Sequence, residues 1–231
     1  MSQSTFNHAV DYTLYYIHDP MCSWCWGFRP TWDALRDTIA KAYPQIAIQY
    51  VLGGLAPDSD EPMPLEMQEM LQSTWRRIQQ TIPGIEFNHD FWRVCQPRRS
   101  TYPACRGVIA ASQQDAASED PMVLAIQQAY YLYARNPSDV DTLIACADSI
   151  GLNVSRFEKD LKSEDVNHIL QKNIHQYRQL AAQSGVSGFP SIVLGRSTSD
   201  NGSAKYHYRG VDIDYNNPNA SLAAITQFLS L

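Results

Sequence analysis

Residues 12–25 read YTLYYIHDPMCSWC, and this stretch decides the fold class. Its first half, Tyr12–His18, is short and rich in aromatic and β-branched residues, which is typical of a β-strand. Asp19-Pro20 ends the strand, and a C-x-x-C motif follows at once. Thr31–Ala42 then carries apolar residues at helical spacing, and Ile46–Leu52 (IAIQYVL) is a second predicted strand. The segment therefore predicts a β-α-β unit with two parallel strands.

The motif Cys22-Ser23-Trp24-Cys25 lies where the chain passes from strand to helix. Free N–H groups and the helix dipole stabilise an anion at a helix N-terminus. A thiolate is such an anion, and it is the attacking species in disulfide exchange. We therefore expect Cys22 to be the nucleophile and Cys25, one turn along, to be the resolving thiol. Ser23 and Trp24 flank the reacting sulfur and are expected to contact substrate.

A lone C-x-x-C motif is also half of a zinc site, which needs two further ligands. No second C-x-x-C or His pair is apparent, so no metal is expected. The odd count of five cysteines argues against a structural disulfide framework. Cys95 and Cys105 are either a second redox pair or separate buried thiols, and the second interpretation is favoured. Cys146 is expected in the core.

The middle of the chain, from Pro62 to Ser184, predicts helices and no strand. Four sites read as helix ends: Asp120 and Ser163 as N-caps, Ser155 as the start of a capping box, and Gly185 as a C-terminal stop. Strand patterns return at Ser191–Leu194 and Tyr206–Gly210, which predict a hairpin, and a helix is predicted over Leu222–Leu229. We expect one domain from residues 10–60 and 186–231, with residues 61–185 inserted as a helical domain.

Composition excludes several classes of protein. The net charge is −6 and no Lys/Arg-rich run occurs, so nucleic acid is not an expected partner. No apolar run approaches the ~20 residues of a membrane span, so no membrane association is expected. The first twenty residues lack the pattern of a secretory signal peptide, and we expect a cytoplasmic location. The oligomeric state does not follow from the sequence.

A strand leading into C-x-x-C, with Gly185-Val186-Ser187-Gly188-Phe189-Pro190 before a later strand, resembles the thioredoxin superfamily. The helical block between the two motifs is similar to the DsbA-like branch. The resemblance implies an α/β thioredoxin fold with a large inserted all-helical domain. It also implies that Pro190 is a cis-proline packed against the cysteine pair, and that the backbone of Phe189 pairs with substrate. The chain departs from the best-known oxidases in having Ser-Trp in place of Pro-His, and Phe189 is bulkier than the usual residue.

The expected function is thiol–disulfide oxidoreduction, whether oxidation, reduction or isomerisation, on thiol or disulfide proteins and peptides. No external cofactor is needed because the cysteine pair carries the electrons, although glutathione is a possible co-substrate. His18, four residues before Cys22, either handles a proton or only ends a strand. Trp24, Trp26 and Phe28 form either an apolar rim for substrates or part of the core.

Two other functions stay open. Kappa-type glutathione transferases and 2-hydroxychromene-2-carboxylate isomerases are similar in architecture, but usually carry Ser and no C-x-x-C motif at this position. A non-catalytic binding module on a thioredoxin fold is the other alternative.

Overall fold

The computed structural model describes residues 10–200 and 203–229, and its four strands form one sheet. The strands are β1 (Val10–His18), β2 (Ile46–Leu52), β3 (Ser191–Asp200) and β4 (Ser203–Val211), in the order β2-β1-β3-β4. β1 pairs in parallel with β2 and antiparallel with β3, and β3 and β4 form a hairpin. The predicted β-α-β unit and hairpin are confirmed, and the α/β thioredoxin fold with its many helices is as expected.

The helices fall into two groups. Two belong to the sheet: α1 (Ser23–Ala42) joins β1 to β2, and α9 (Pro218–Leu229) follows β4. The others lie between β2 and β3 in the chain: α2 (Leu65–Thr81), α3 (Phe91–Val94), α4 (Tyr102–Ser112), α5 (Glu119–Tyr131), α6 (Val140–Ser149), α7 (Val154–Leu161) and α8 (Glu164–Ser184). The domain boundaries at residues 60/61 and 185/186 stay a prediction.

Side chains of β1 alternate between the two faces of the sheet, as the pleat requires. Leu14 and Tyr16 pack with α1 and α9, around Trp32 and Ile225. Ile17 packs on the other face with α8, against Leu180. A separate apolar core fills the helical group between β2 and β3. The end of β1 at His18 therefore lies where all three cores meet.

Helix α1 begins earlier than the sequence predicts. It starts at Ser23 rather than Thr31, and Pro30 lies inside it. Proline usually marks a helix boundary because it lacks an N–H donor. Here the first two turns are held by burial, with Cys25 at 1% and Phe28 at 0% exposure. The whole C-x-x-C motif after Cys22 is consequently helical.

Two predicted helix caps are wrong. Helix α5 begins at Glu119, with Ser118 at its N-cap, so Asp120 lies inside the first turn. Its carboxylate instead accepts hydrogen bonds from Arg29 at 2.8 Å and Arg36 at 3.0 Å. Ser155 lies inside α7, whose N-cap is Asn153. A polar side chain that could cap a helix can instead bond a group brought close by tertiary packing. A pattern in the local sequence does not show whether such a group is present.

The other two helix ends are confirmed. The Ser163 side chain accepts from the Val166 N–H at the start of α8, and Gly185 ends that helix with φ of 78°. Few residues other than glycine adopt this left-handed conformation. The helix therefore stops three residues before Gly188, and the chain is directed into the Phe189-Pro190 turn.

Candidate active site

A tight turn carries the chain from β1 into α1. The Cys22 N–H donates to the Asp19 carbonyl at 3.0 Å, which closes the turn. Pro20 occupies the second position of that turn, where its fixed φ is favourable. Cys22 is the N-cap of α1, and its Sγ accepts from the Cys25 N–H at 3.4 Å. The first sulfur thus lies at the positive end of a twenty-residue helix.

The segment of residues 185–190, which leads into β3, lies beside the Cys22 sulfur because β3 is the neighbour of β1 in the sheet. The Cys22 Sγ donates to the Phe189 carbonyl oxygen at 3.4 Å. The Phe189–Pro190 peptide bond is cis, as the resemblance implies, and Pro190 is buried. The structure therefore brings together Cys22, Cys25, Phe189 and Pro190, although 167 positions separate the two hydrogen-bonded residues.

The Phe189 side chain packs against a glycine. A Cβ on Gly53, just after β2, would lie 1.9 Å from Cε1 of Phe189. The other side of the ring contacts Tyr177 of α8, with ring centroids 4.9 Å apart. The bulk of Phe189 is thus accommodated by the missing side chain of Gly53. Its backbone carbonyl is left free to face the cysteine.

The two cysteines differ in their access to solvent. Cys22 is 7% exposed, whereas Cys25 is 1% exposed. Burial raises the pKa of the Cys25 thiol well above its usual value, and the neighbouring Cys22 sulfur raises it further. Both thiols are free. A first cysteine that keeps a small exposed surface and a fully buried second thiol with a raised pKa suit an attacking and a resolving thiol respectively.

Cys25 lines a small polar cavity between α1, the sheet and α5. The cavity has about 10 Å³ for the centre of a water molecule, which is roughly the room that one water needs. On the α5 side, the Arg29 guanidinium bonds Asp120 and lies 3.5 Å from Gln127 Oε1. The lining residues are Tyr16, His18, Cys25, Arg29, Trp32, Tyr50, Asp120, Val123 and Gln127.

His18 also faces this cavity. It is 1% exposed, and its ring stacks on Tyr16 at 5.0 Å. Burial, together with the positive charge of Arg29, lowers the pKa of His18 to about 3. Its Nε2 has no hydrogen-bond partner. At neutral pH the ring is therefore uncharged, so it supplies no positive charge to a thiolate, and a role for it stays a prediction.

Asp19 is a site residue that sequence reasoning missed. Its buried carboxylate accepts from the Met21 N–H at 2.8 Å, the Leu55 N–H at 2.7 Å and the Thr101 hydroxyl at 2.7 Å. The Cys105 Sγ lies 3.5 Å from the same carboxylate. Burial raises the pKa of Asp19, while these hydrogen bonds oppose the shift. The carboxylate thus ties the active-site turn to the helical segment, and its place directly before Pro20 was the available signal.

The three aromatic residues in the first two turns of α1, Trp24, Trp26 and Phe28, have different environments. Phe28 is fully buried and belongs to the core. Trp26 is half-buried, stacks on Tyr131 at 5.7 Å and donates its indole N–H to the Glu86 carbonyl. Trp24 is half-buried as well, with Tyr215 at 5.1 Å. Ser23, beside it, is buried. Only the two tryptophans can contribute to an apolar rim.

The remaining cysteines lie in separate environments. Cys95 Sγ donates to the Ala134 carbonyl at 3.0 Å, whereas Cys105 faces Asp19. Cys146 is 5% exposed. All are free thiols. In the part of the chain that the structure describes, no group of three or more His, Cys, Asp or Glu residues is arranged to hold a metal ion.

The comparisons with known proteins agree with this geometry. A family model described as thioredoxin matches residues 15–211. The chain belongs to this thioredoxin family. A solved structure from Nitrosomonas europaea, described as a candidate protein disulfide isomerase, is 25% identical with a TM-score of 0.75. That match covers 95% of this chain and 98% of the other.

A second solved structure is the cytosolic disulfide reductase DsbM from Pseudomonas aeruginosa, which has also been solved with glutathione. It is 21% identical, with a TM-score of 0.69, over 94% of this chain and 98% of that one. At this identity the likeness shows the fold alone. This thioredoxin-family chain therefore has the architecture of the DsbA-like members.

One curated relative is described as an adapter protein rather than as an oxidoreductase. It is the ClpXP adapter protein SpxH of Halalkalibacterium halodurans, 24% identical over 171 residues. The match covers 72% of this chain and 54% of the relative, so the chain spans about half the length of the curated relatives it matches. Within the described residues, no helix is both long and apolar enough to cross a membrane.

Proposed function

We propose that this protein is a thiol–disulfide oxidoreductase with Cys22 as its nucleophile and Cys25 as its resolving thiol. The observation that carries the proposal is the position of the Cys22 sulfur. It caps a long helix, and it lies 3.4 Å from the carbonyl of the residue before a cis-proline. A substrate peptide that paired with the Phe189 backbone would bring its own disulfide close to this sulfur.

The reaction is a two-step exchange. The Cys22 thiolate attacks a substrate disulfide, so a bond forms between Cys22 and one substrate sulfur and the other sulfur leaves as a thiolate. Cys25 then loses its proton and attacks the Cys22 sulfur, which releases the second substrate thiolate and forms the Cys22–Cys25 disulfide. Two electrons pass from the protein to the substrate. The reverse sequence oxidises a substrate dithiol, and the partner couple sets the direction.

The burial of Cys25 gives the second step its own requirement. A thiol whose pKa is raised by burial must lose its proton before it can attack. The polar cavity between Cys25 and the Arg29–Asp120 pair is a route by which that proton can leave the thiol. Tyr16 and His18 line the same cavity. We propose that the proton leaves Cys25 on this side, since the opposite side faces the Cys22 sulfur.

Trapping the intermediate tests the proposal. Reduced Cys25→Ser protein, mixed with glutathione disulfide, should accumulate one glutathionyl group on Cys22, because no second thiol can displace it. Wild type should instead release the glutathionyl group as glutathione and form its own disulfide, which leaves it two hydrogens lighter than the reduced protein. Cys95→Ser is the matched control, since it removes a thiol outside the site and should behave as wild type. Stable glutathionylation of wild type, or none in Cys25→Ser, would overturn the assignment.

A redox titration of the pair against glutathione buffers gives the direction. A midpoint near the ~ −270 mV of thioredoxin would define a reductant, and one near ~ −120 mV would define a disulfide donor. We propose thiol or disulfide peptides and glutathione as substrates, and the cytoplasm as the location. In a reducing compartment, a stable disulfide donor is hard to sustain. A low midpoint is therefore the expected result.

The adapter relatives favour a second candidate function, that of a binding module for another protein. Such a role requires the surface of the fold and not the exchange reaction. A Cys22→Ser/Cys25→Ser double variant distinguishes the two functions, because binding by an adapter survives the loss of both sulfurs. Glutathione conjugation, the remaining alternative, needs only the first sulfur. It should therefore persist in Cys25→Ser, whereas turnover by disulfide exchange should not.

A further inference from the structure

Helix α2 is packed closely against the start of α1. Gly27 lies in the second turn of α1, and a Cβ there would meet Ile82 at 2.8 Å and Ile78 at 3.0 Å. Ile78 is fully buried. At its C-terminal end, α2 is further held by Asn216, whose amide donates to the Thr81 carbonyl at 3.2 Å. The missing side chain at Gly27 thus lets α2 approach the redox motif and fixes the residues around Ile78.

Arg77 precedes Ile78, and its guanidinium lies over the redox motif. The Arg77 Cζ atom is 5.2 Å from the centroid of the Trp24 ring, within the range of a cation–π contact. Trp24 is two residues from Cys22, so their backbones lie at most ~7 Å apart. Arg77 therefore contacts a side chain of the redox motif itself.

Arg77 lacks the kind of ion pair that several arginines form in the described part of the chain. Arg29, Arg36, Arg98 and Arg106 each form an ion pair with an aspartate. Arg77 is exposed and has no ion pair with a described carboxylate. The protein as a whole carries a net charge of −6. An exposed arginine held on the Trp24 ring, in an acidic protein, is suited to bind a negatively charged group.

We infer that Arg77, held on the Trp24 ring, recognises a carboxylate of the substrate, and that the preferred substrates are disulfides with a free carboxylate within two residues of the sulfur. The inference rests on the proposed function and names its substrate class. An extended chain rises ~3.3–3.6 Å per residue, so a carboxylate one or two residues from the reacting cysteine stays within about 7 Å of it, beside the motif that carries Trp24. The planar guanidinium suits a carboxylate in two-point contact.

The chemistry at sulfur is unchanged by this contact. The Cys22 thiolate forms a bond to the near sulfur of the substrate, and the far sulfur leaves with the bonding electron pair as a thiolate. Cys25 then displaces the bound half. Because the reduced protein supplies both electrons, a single turnover needs no further reductant. Arg77 acts on binding and orientation of the anionic substrate.

Two disulfides of different charge test the inference. Reduced protein is mixed with excess glutathione disulfide, which is anionic, or with bis(2-hydroxyethyl) disulfide, which is neutral. The second-order rate constant of each is followed by tryptophan fluorescence, and their ratio is the readout. Arg77→Gln should lower the ratio of anionic to neutral rate constants by about fivefold, the size expected for one exposed charge pair. Arg77→Lys should restore part of it.

Arg76→Gln is the matched control. Arg76 is the exposed neighbour of Arg77 on the same helix, and its charge lowers the pKa of His89. Its replacement by glutamine changes the net charge of the protein by the same amount. The ratio should fall with added salt in wild type and much less in Arg77→Gln. An equal ratio in the Arg77→Gln and Arg76→Gln variants, or a loss of both rates with the ratio intact, would overturn the inference. Wild type that reacts with neither disulfide would instead refute the proposed function itself.

Discussion

Replacing Gly53 with alanine tests how closely the Phe189 ring, whose backbone carbonyl faces Cys22, is packed against the end of β2. The added Cβ would lie 1.9 Å from Cε1 and 2.2 Å from Cζ of the Phe189 ring. Carbon atoms in ordinary contact are about 3.5–4.0 Å apart, so the ring must move by about 2 Å. Tyr177, with its ring centroid 4.9 Å away, limits that movement. Because overpacking of this kind costs about 1–3 kcal/mol, we expect the free energy of unfolding to fall by about 2 kcal/mol.

A double-mutant cycle isolates the clash. Phe189→Ala removes the ring, so Gly53→Ala should then cost little, and the two changes should show a coupling energy of about 2 kcal/mol. The measurement is urea unfolding of all four proteins. The rate of the Cys22 exchange reaction should also change in Gly53→Ala, since a displaced ring moves the Phe189 carbonyl.

Gly107→Ala is the matched control within the same chain. A Cβ at Gly107 in α4 would meet its nearest neighbour at 3.5 Å, an ordinary contact. Alanine is favoured over glycine in a helix by up to about 1 kcal/mol, so this variant should be unchanged or slightly more stable. The reasoning fails if Gly53→Ala is as mild as Gly107→Ala, or if the effects of Gly53→Ala and Phe189→Ala simply add.

Three further outcomes are expected. The pKa of His18 falls from 6.5 in the unfolded chain to about 3 in the folded protein, so the unfolded chain binds the proton first as the pH falls. His18 should therefore cost up to about 1.4 kcal/mol of stability per pH unit below pH ~6.5, and comparing urea midpoints of wild type and His18→Phe across pH 4–7 should show this slope removed. Asp19→Asn should cost about 2 kcal/mol in the same assay at pH 7, because an amide cannot accept from both the Met21 and Leu55 N–H groups. Ser163→Ala should cost about 1 kcal/mol through loss of the α8 cap, and an unchanged midpoint would contradict that.

The sheet and its connections were predictable because their signals are local. Tyr12–His18 and Ile46–Leu52 are short runs of strand-forming residues, and β2 has the predicted bounds. The hairpin was predicted too short. Residues 195–200 and 203–205, which lie between the two predicted strands, pair across β3 and β4. Ladder hydrogen bonds are made by the backbone, so polar residues at a sheet edge can extend a strand that composition alone would end.

The candidate site was predictable only in part. The positions of the C-x-x-C motif and of Pro190 in the sequence identified its main elements, but three contacts depend on tertiary packing. Asp19 reaches Thr101 across 82 positions, Phe189 rests on Gly53, and Arg77 covers Trp24. Each of these contacts joins two segments that are distant in sequence and that lie together because of a buried core or a glycine without a side chain. No local pattern specifies such a partner.

The cavity beneath Cys25 makes that thiol a reporter of motion. The cavity is lined from two parts of the chain: Tyr16 of β1 and Trp32 of α1 lie on one side, and Asp120, Val123 and Gln127 of α5 lie on the other. Because Cys25 is 1% exposed, a thiol reagent can reach its sulfur only when the structure around it opens. In a Cys22→Ser background, the alkylation rate of Cys25 relative to a free thiol is therefore the equilibrium constant for that local opening. The resolving thiol thus provides a direct chemical measure of how readily the structure around the redox motif opens.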